Sequence, residues 1–538
     1  MSYRVPSLKW LFVGFCLSAL ACVRVPPSPA SVKASEEGQS VPDEAARLAL
    51  FTSLVETIRE VHVFNAPPHG PSAEWEALLP GLEAEFKAAD DLVALNIALR
   101  HLGNSLRNPH CSFTPGGPLK GLPSDRLTPG FRLKQEMVGG VPRLYLDSVD
   151  DESLGVMPGD VLVAVDGVAD PIATYSLESS QNFMFGVARY VAQYLSSPKT
   201  DRSTFRLEQP TQWTFERRDG GEQFDVETVW TEPKSPPRPH EFTAFEYEGD
   251  VCGTLSARDY GPGYRRTAAG LNYCLYVSDH PDFQAFPVVR HFSFLYLPTG
   301  YTTDVYHAIR AEWYSLSSHL AALEAVEGVV LDLRDNNGGY SPNLFLSWWA
   351  TKPWDTGYAH KRARDVLLKE PFLSTAFRRS FQLDAYREQL KTADTDSDFL
   401  PPTVWDPPPD GGMTRRPERR VIERPVALLV GPGCLSSCDF FSLVWSRNEM
   451  GPIVGERTAA GYTAWRANLP VRVGNMDLGT LSVALQYESM GDDHASVEAI
   501  PIPLTVPIDR TFDNAETYDA EVVAAAIDSL RAEAHTAP

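Results

Sequence analysis

The chain has 538 residues, more than one hydrophobic core usually supports, so two or three domains are expected. Its 70 Asp and Glu against 48 Lys and Arg leave a net charge of −22, which repels phosphate backbones and excludes a role built on nucleic-acid affinity. The 43% hydrophobic and 22% charged fractions are those of an ordinary globular protein, and no internal apolar run is long enough to span a bilayer.

Arg4 and Lys9 precede an apolar segment from Leu11 to Ala21, which reads as a secretory signal peptide over residues 1–21. Export to the cell envelope, the periplasm or the medium follows. Cys22 stands directly after Ala19-Leu20-Ala21, so the segment also fits a bacterial lipoprotein signal in which Cys22 is lipidated and tied to a membrane. Residues 22–43 are rich in Pro, Ser, Ala and Glu and form a tether. From Asp43 to Arg107 apolar residues recur at three and four positions, as in Leu50, Leu54 and Ile58, so 44–122 is expected to be a helical N-terminal region. It ends in Asn108-Pro109-His110-Cys111-Ser112, where Pro109 marks a loop presenting His110.

Residues 123–230 change to short alternating strands, with tight turns at Met157-Pro158-Gly159-Asp160 and Asp166-Gly167 around the strand Val161–Val165. The text SVDDESLGVMPGDVLVAVDGV resembles the PDZ domains of bacterial proteases. An unrelated small β domain is the alternative reading. Residues 231–240 carry four prolines and form a linker. In 241–512, strand-like runs such as Val329–Leu333 alternate with helical ones such as Val305–Val326, which predicts an α/β domain with a central sheet. Phe399–Arg420 reads as a long surface excursion, and 513–538 as a C-terminal helix and tail.

Two segments carry the chemistry. In Val329-Val330-Leu331-Asp332-Leu333-Arg334-Asp335-Asn336-Asn337-Gly338-Gly339 a buried strand runs into a Gly-Gly turn. Glycines let backbone amides approach a ligand at positive φ, as donors to an oxyanion must, although a plain β-to-α turn fits equally. In Val426–Val430, Gly431-Pro432-Gly433-Cys434-Leu435-Ser436-Ser437-Cys438-Asp439 and the apolar Phe440–Trp445, the order is strand, tight loop, helix. A serine there sits among unpaired helix N–H groups and is either a nucleophile or merely a helix cap.

These segments resemble the DLRxNxGG and S-x-[SA]-E motifs of the tail-specific and tricorn-core serine peptidases, and Gly455-Glu456-Arg457-Thr458-Ala459-Ala460-Gly461 resembles the same family's G-E-x-T-x-G turn. The resemblance implies an α/β core of the crotonase-like kind. It implies Ser436 as nucleophile and an oxyanion hole at Ser437, Gly338 and Gly339, with Asp439 in the place of the motif's Glu. Tail-specific proteases use a lysine just after the turn, but this chain has Tyr462-Thr463-Ala464 there and no lysine beyond Lys391. The tricorn-like branch uses a histidine from a D-x-H-[TS] loop, which implies His110 as base. Its supporting acid is matched by Glu498 in Val497-Glu498-Ala499-Ile500-Pro501. Glu498 could instead be a solvated strand residue, and His494 is a rival base.

The expected function is therefore an exported serine endopeptidase acting on protein or peptide substrates captured by the PDZ-like module, without metal or organic cofactor. The alternative is an inactive peptide- or ligand-binding protein of the same fold. Cys16 and Cys22 aside, five cysteines remain. Cys252 with Cys274 and Cys434 with Cys438 are candidate disulfides by proximity, unless these are simply small buried side chains. No CxxC pair suggests a metal site.

Overall fold

Two nearly all-apolar runs, Val329–Asp332 and Val426–Val430, form adjacent parallel strands buried at every position. Strands covered on both faces need such continuous apolar sequence. They lie at the centre of a seven-stranded sheet ordered Val506–Pro507, Ile453–Gly455, Val426–Val430, Val329–Asp332, Val288–His291, Tyr273–Ser278 and Tyr264–Ala269. The first five run parallel, and the last two join antiparallel.

The computed structural model describes residues 40–65, 73–108, 110–121, 128–176, 187–196, 211–231, 251–255, 257–294, 305–339, 342–363, 388–391, 398–404, 414–415, 420–462, 466–490, 495–497 and 500–536. The signal-like segment with Cys16 and Cys22, most of the tether, the Pro-rich linker beyond Thr231, and His494 and Glu498 lie outside them.

Side chains alternate across the sheet with the two-residue period of a strand, and each set joins a different layer. Val329, Leu331, Leu428 and Val430 share a core with Phe345 and Trp348 of the helix Pro342–Trp349 and with Phe441 and Trp445 of the helix Ser437–Arg447. Val330, Ala427, Leu429 and Val454 instead pack with Val522, Val523, Ala526 and Ile527 of the helix Tyr518–Thr536. The result is an α/β core with helices on both faces. In such sheets the turns leaving the carboxyl ends of neighbouring parallel strands meet at one edge. Here those turns are Leu333–Gly339 and Gly431–Ser436.

The helices Glu44–Val61, Ala73–Ala88 and Leu92–Asn104 have no core to themselves. Their apolar faces share one with the hairpin Arg466–Val473 and Met476–Ala484 from the far end of the chain. Asp43 and Asp91 cap the first and third of these helices by accepting from the N–H groups of Ala46 and Ala94. Just after the third helix, the strand Ser112–Pro115 adds antiparallel to the hairpin, pairing Ser112 with Ser482 and Pro115 with Gly479. That pairing carries the preceding residue pair, His110 and Cys111, to the central domain. The Ala484 N–H lies 3.2 Å from the Cys111 sulfur.

Residues 131–227 hold a six-stranded antiparallel sheet ordered Phe131–Val138, Val141–Val149, Val161–Val165, Gln212–Glu216 and Gln223–Glu227, with Val168–Ala169 beside Val161–Val165. The helix Val187–Ser196 closes one face, packing Val191 and Leu195 on Phe131, Leu146, Trp213 and Phe215. Each such burial stabilises by about 1.5–3 kcal/mol. Phe131 meets Trp213 edge-to-face at 4.9 Å. Thr128 and Thr231 pair where the chain enters and leaves this sheet. Glu136 ties it to the segment before the C-terminal helix, accepting from the Phe512 N–H and from Arg218, which also reaches Asp513.

Two stretches differ from their sequence reading. The helix expected over Val305–Val326 ends at Ala321, because the chain turns toward Val329 with Ala325 at φ +54°. The described parts of the Phe399–Arg420 excursion are not plain loop: Thr403–Val404 pairs with Tyr358–Ala359, and Thr414–Arg415 with Trp354–Asp355.

Candidate active site

His110 and Ser436 stand 326 positions apart in sequence, yet His110 Nε2 lies 3.1 Å from Ser436 Oγ. The His110 backbone N–H donates to Asn108 Oδ1 at 2.9 Å, an Asx-type turn that fixes the loop at its tip. Burial, reinforced by the nearby Arg466 charge, lowers the imidazole pKa to about 3. The ring is therefore neutral at physiological pH, and with its proton on Nδ1 it presents Nε2 to the hydroxyl as an acceptor.

Ser436 occupies the cap position of the helix Ser437–Arg447 but forms no side-chain cap bond. Its hydroxyl points to His110 instead, which removes the simple capping explanation for a serine at this place. The backbone is held at φ +59°, ψ −119°, a conformation rare outside glycine. A disulfide joins Cys434 to Cys438 across the serine, and a second joins Cys252 to Cys274; Cys111 is unbridged and buried. Leu435 N–H donates to the Asn336 carbonyl, and Ala459 N–H to that of Cys434, so the loop is tied on both sides. Asp439, fully buried, accepts from the N–H groups of Ala460 and Gly461 at 3.1 Å each. Burial pushes its carboxyl up to about 7.

The Gly338–Gly339 turn lies directly against this loop. Gly338 has φ +90°, and a Cβ there would stand 2.6 Å from the Leu435 carbonyl oxygen, 2.8 Å from the Ser437 nitrogen and 2.9 Å from Ser436 Cβ. Only glycine fits so close an approach. The Gly338 N–H donates to Asn336 Oδ1 at 2.9 Å, while Ser437 Oγ donates to the Gly339 carbonyl at 3.1 Å. Among the described residues no bond takes the Gly339 or Ser437 N–H. The Gly338 amide is thus engaged in holding the turn.

The polar residues of the same strand end serve a different purpose. Asp332 accepts from the Arg334 guanidinium and the Tyr260 hydroxyl, Arg258 and Arg290 converge on Asp335, and Asp519 of the C-terminal helix receives both Arg258 and Arg334. Burial opposes ionisation of Asp332, but Arg334 and Arg258 outweigh it and hold the carboxyl well below its usual range. Three arginines thus balance three aspartates in a nearly buried cluster that pins the Gly-Gly turn's base to the sheet and the last helix. Losing one partner of such a cluster strands an uncompensated charge, at a cost of about 3–5 kcal/mol. Asp519 and Arg258 lie far from the motif in sequence, and no local signal marks them.

Glu498 and His494 lie outside the described residues. Among the described residues no group of three His, Cys, Asp or Glu side chains is placed to share a metal ion. In sequence Asp439 stands only as a departure from a motif's Glu, and its bonds to Ala460 and Gly461 come from a separate turn. An acidic residue at the third position of a helix whose cap is serine is itself a capping signature.

Residues 305–476 match the sequence model of Peptidase family S41, a span that includes both the Gly-Gly turn and the Ser436 loop. No curated protein matches the chain. Among solved structures, mature CPAF complexed with lactacystin is similar at 15% identity and a TM-score of 0.59, covering 91% of this chain and 98% of that one. Mature CPAF alone is similar at 14% identity and a TM-score of 0.58, covering 90% and 96%. At these identities the two structures speak for the fold. Residues 305–476 thus resemble peptidase family S41, and this match indicates a serine peptidase.

Proposed function

We propose that this peptidase works through a Ser436–His110 pair and an acyl-enzyme. The observation that carries the reading is the 3.1 Å contact between Ser436 Oγ and His110 Nε2. A serine hydroxyl is a weak nucleophile at neutral pH and needs a base within hydrogen-bond reach. In the proposed cycle His110 Nε2 takes the hydroxyl proton as Oγ bonds to the substrate carbonyl carbon. The oxygen, now negative, is held by the N–H groups of Gly339 and Ser437. His110 then gives the proton to the leaving amine, the C–N bond breaks, and water repeats the sequence on the acyl ester to release the acid. Glu498 is the proposed carboxylate for Nδ1, where it would fix the tautomer and steady the imidazolium.

The sheet and helix of residues 131–227 are proposed to act as a PDZ-like module that captures an extended peptide by strand addition. Export, with attachment to the cell envelope through a lipidated Cys22, is part of the proposal and is supported by the apolar segment before Cys22. Hydrolysis of an unstructured protein by wild type and by Ser436→Ala tests the core of this reading. The Ser436→Ala protein is expected to lose about 10⁴-fold or more in rate. Equal rates would overturn it.

A further inference from the structure

The three-stranded sheet that carries His110 to the active site has two unlike faces. Side chains directly opposite one another in antiparallel strands share a face, and alternate residues of one strand lie on opposite faces. On one face Phe113, Leu481 and Leu469 stand in a row and join the core of the N-terminal helices. On the other, Ser112, Ser482 and Asn468 form the neighbouring row, with Ser482 Oγ donating to Asn468 Oδ1 at 2.7 Å.

Two positions further along, this polar face reaches the Ser–His pair. Carried on from Ser112 and Ser482, the register brings His110 beside Ala484, whose N–H lies 3.2 Å from the sulfur of the adjoining Cys111. Ala484 pairs in turn with Arg466 on the outer strand. His110, Ala484 and Arg466 therefore form one row, with only a methyl group between the ring and the arginine. Opposite Cβ atoms are about 5 Å apart, so those of His110 and Arg466 are separated by about 10 Å, a gap that a long arginine side chain can largely cover. The charge is felt at the ring: after burial, Arg466 is the second cause of the lowered His110 pKa.

Arg466 is exposed, and among the described residues no carboxylate pairs with it. The arginines beneath the Gly-Gly turn, by contrast, each have an aspartate partner. In a chain with 70 acidic residues against 48 basic ones, an unneutralised arginine beside the proposed base stands out. It opposes the imidazolium that forms during the reaction, and a negative group brought by the substrate would both pair with it and relieve that opposition. His110 must hand its proton to the leaving amine, so the leaving segment of the substrate lies on the His110 side, from which the row runs outward to Arg466.

We propose that Arg466 is a specificity-determining residue: its guanidinium pairs with a substrate carboxylate within about three residues of the scissile bond on the leaving side. The inference rests on the reading of Ser436 and His110 as nucleophile and base.

The test begins by digesting an unstructured protein with wild type and mapping a cleaved bond by mass spectrometry. Quenched fluorogenic peptides spanning that bond are then compared, carrying Asp or Asn at each of the first three positions on the leaving side. A shortened set ends at those positions in a free carboxylate or an amide. Wild type is expected to favour one carboxylate over its neutral counterpart by about tenfold in kcat/KM. Preference in the first set assigns the group to an acidic side chain, and preference in the second to the substrate's C-terminus. Arg466→Gln, a change at an exposed position of an outer strand, should bring that ratio to about one while keeping kcat/KM for the neutral peptide within about threefold. No carboxylate preference in wild type, or a preference that survives in Arg466→Gln, overturns the proposal. An equal loss on charged and neutral peptides, as a merely structural residue would give, overturns it as well. Cleavage by Ser436→Ala at the wild-type rate, or none by wild type, would instead overturn the nucleophile reading, so the two failures are distinct.

Discussion

Replacing His110 by alanine is expected to lower kcat by about 10³-fold while leaving KM within a few-fold, because the base acts on the proton of Ser436 and not on substrate binding. The fold should survive, since the strand that places His110 begins at Ser112 and is held by its own pairing with Met476–Ala484. A direct reading of the ring's state accompanies this. With a pKa lowered to about 3, His110 binds its second proton only when pH falls far below the usual value of 6.5. Its imidazole NMR signals in the Ser436→Ala protein should therefore stay at their neutral positions down to about pH 5. A full wild-type kcat in His110→Ala, or an imidazole that titrates near 6.5, would contradict the assignment of a buried neutral base.

Gly338→Ala carries the other large effect. At φ +90° an alanine is strained before any contact is counted, and its methyl would meet the Leu435 carbonyl at 2.6 Å, closer than real Cβ atoms come. Backbone strain and overpacking together should cost about 2–5 kcal/mol of unfolding free energy. The Ser436 loop must shift to admit the methyl, and with it the Ser437 amide. Displacing an oxyanion donor costs about 10²–10³ in kcat. Denaturant unfolding and initial-rate kinetics on the same preparation separate the two losses. A variant with wild-type stability and kcat would show that the turn does not need this close approach.

What the sequence disclosed and what it withheld divide along a physical line. Val426–Trp445 was legible as strand, tight loop and helix because its apolar run, its glycines and its amphipathic continuation are all local signals. The Gly338–Gly339 turn was legible for the same reason. Contacts built by distant pairing were not. His110 was singled out through the resemblance of its loop, but its approach to Ser436 depends on the addition of Ser112–Pro115 to a hairpin more than 350 residues later. Asp519 joins the Arg258, Arg290 and Arg334 cluster from the last helix, where it looks like an ordinary first-turn acid. The engagement of the Gly338 amide by Asn336 depends on a side-chain rotamer that composition cannot specify. Asp439 lay in plain view but registered as a substitution within a motif, because its partners at Ala460 and Gly461 come from another turn.

One measurement bears most directly on the claim that Ser436 is an activated nucleophile held against His110. Wild-type protein is treated with a fluorophosphonate, digested, and mapped by mass spectrometry. The account predicts a single phosphonylated serine, Ser436, and loss of that adduct when His110 is replaced by alanine. An unlabelled wild-type protein, or a label on another serine that persists in Ser436→Ala, would contradict it.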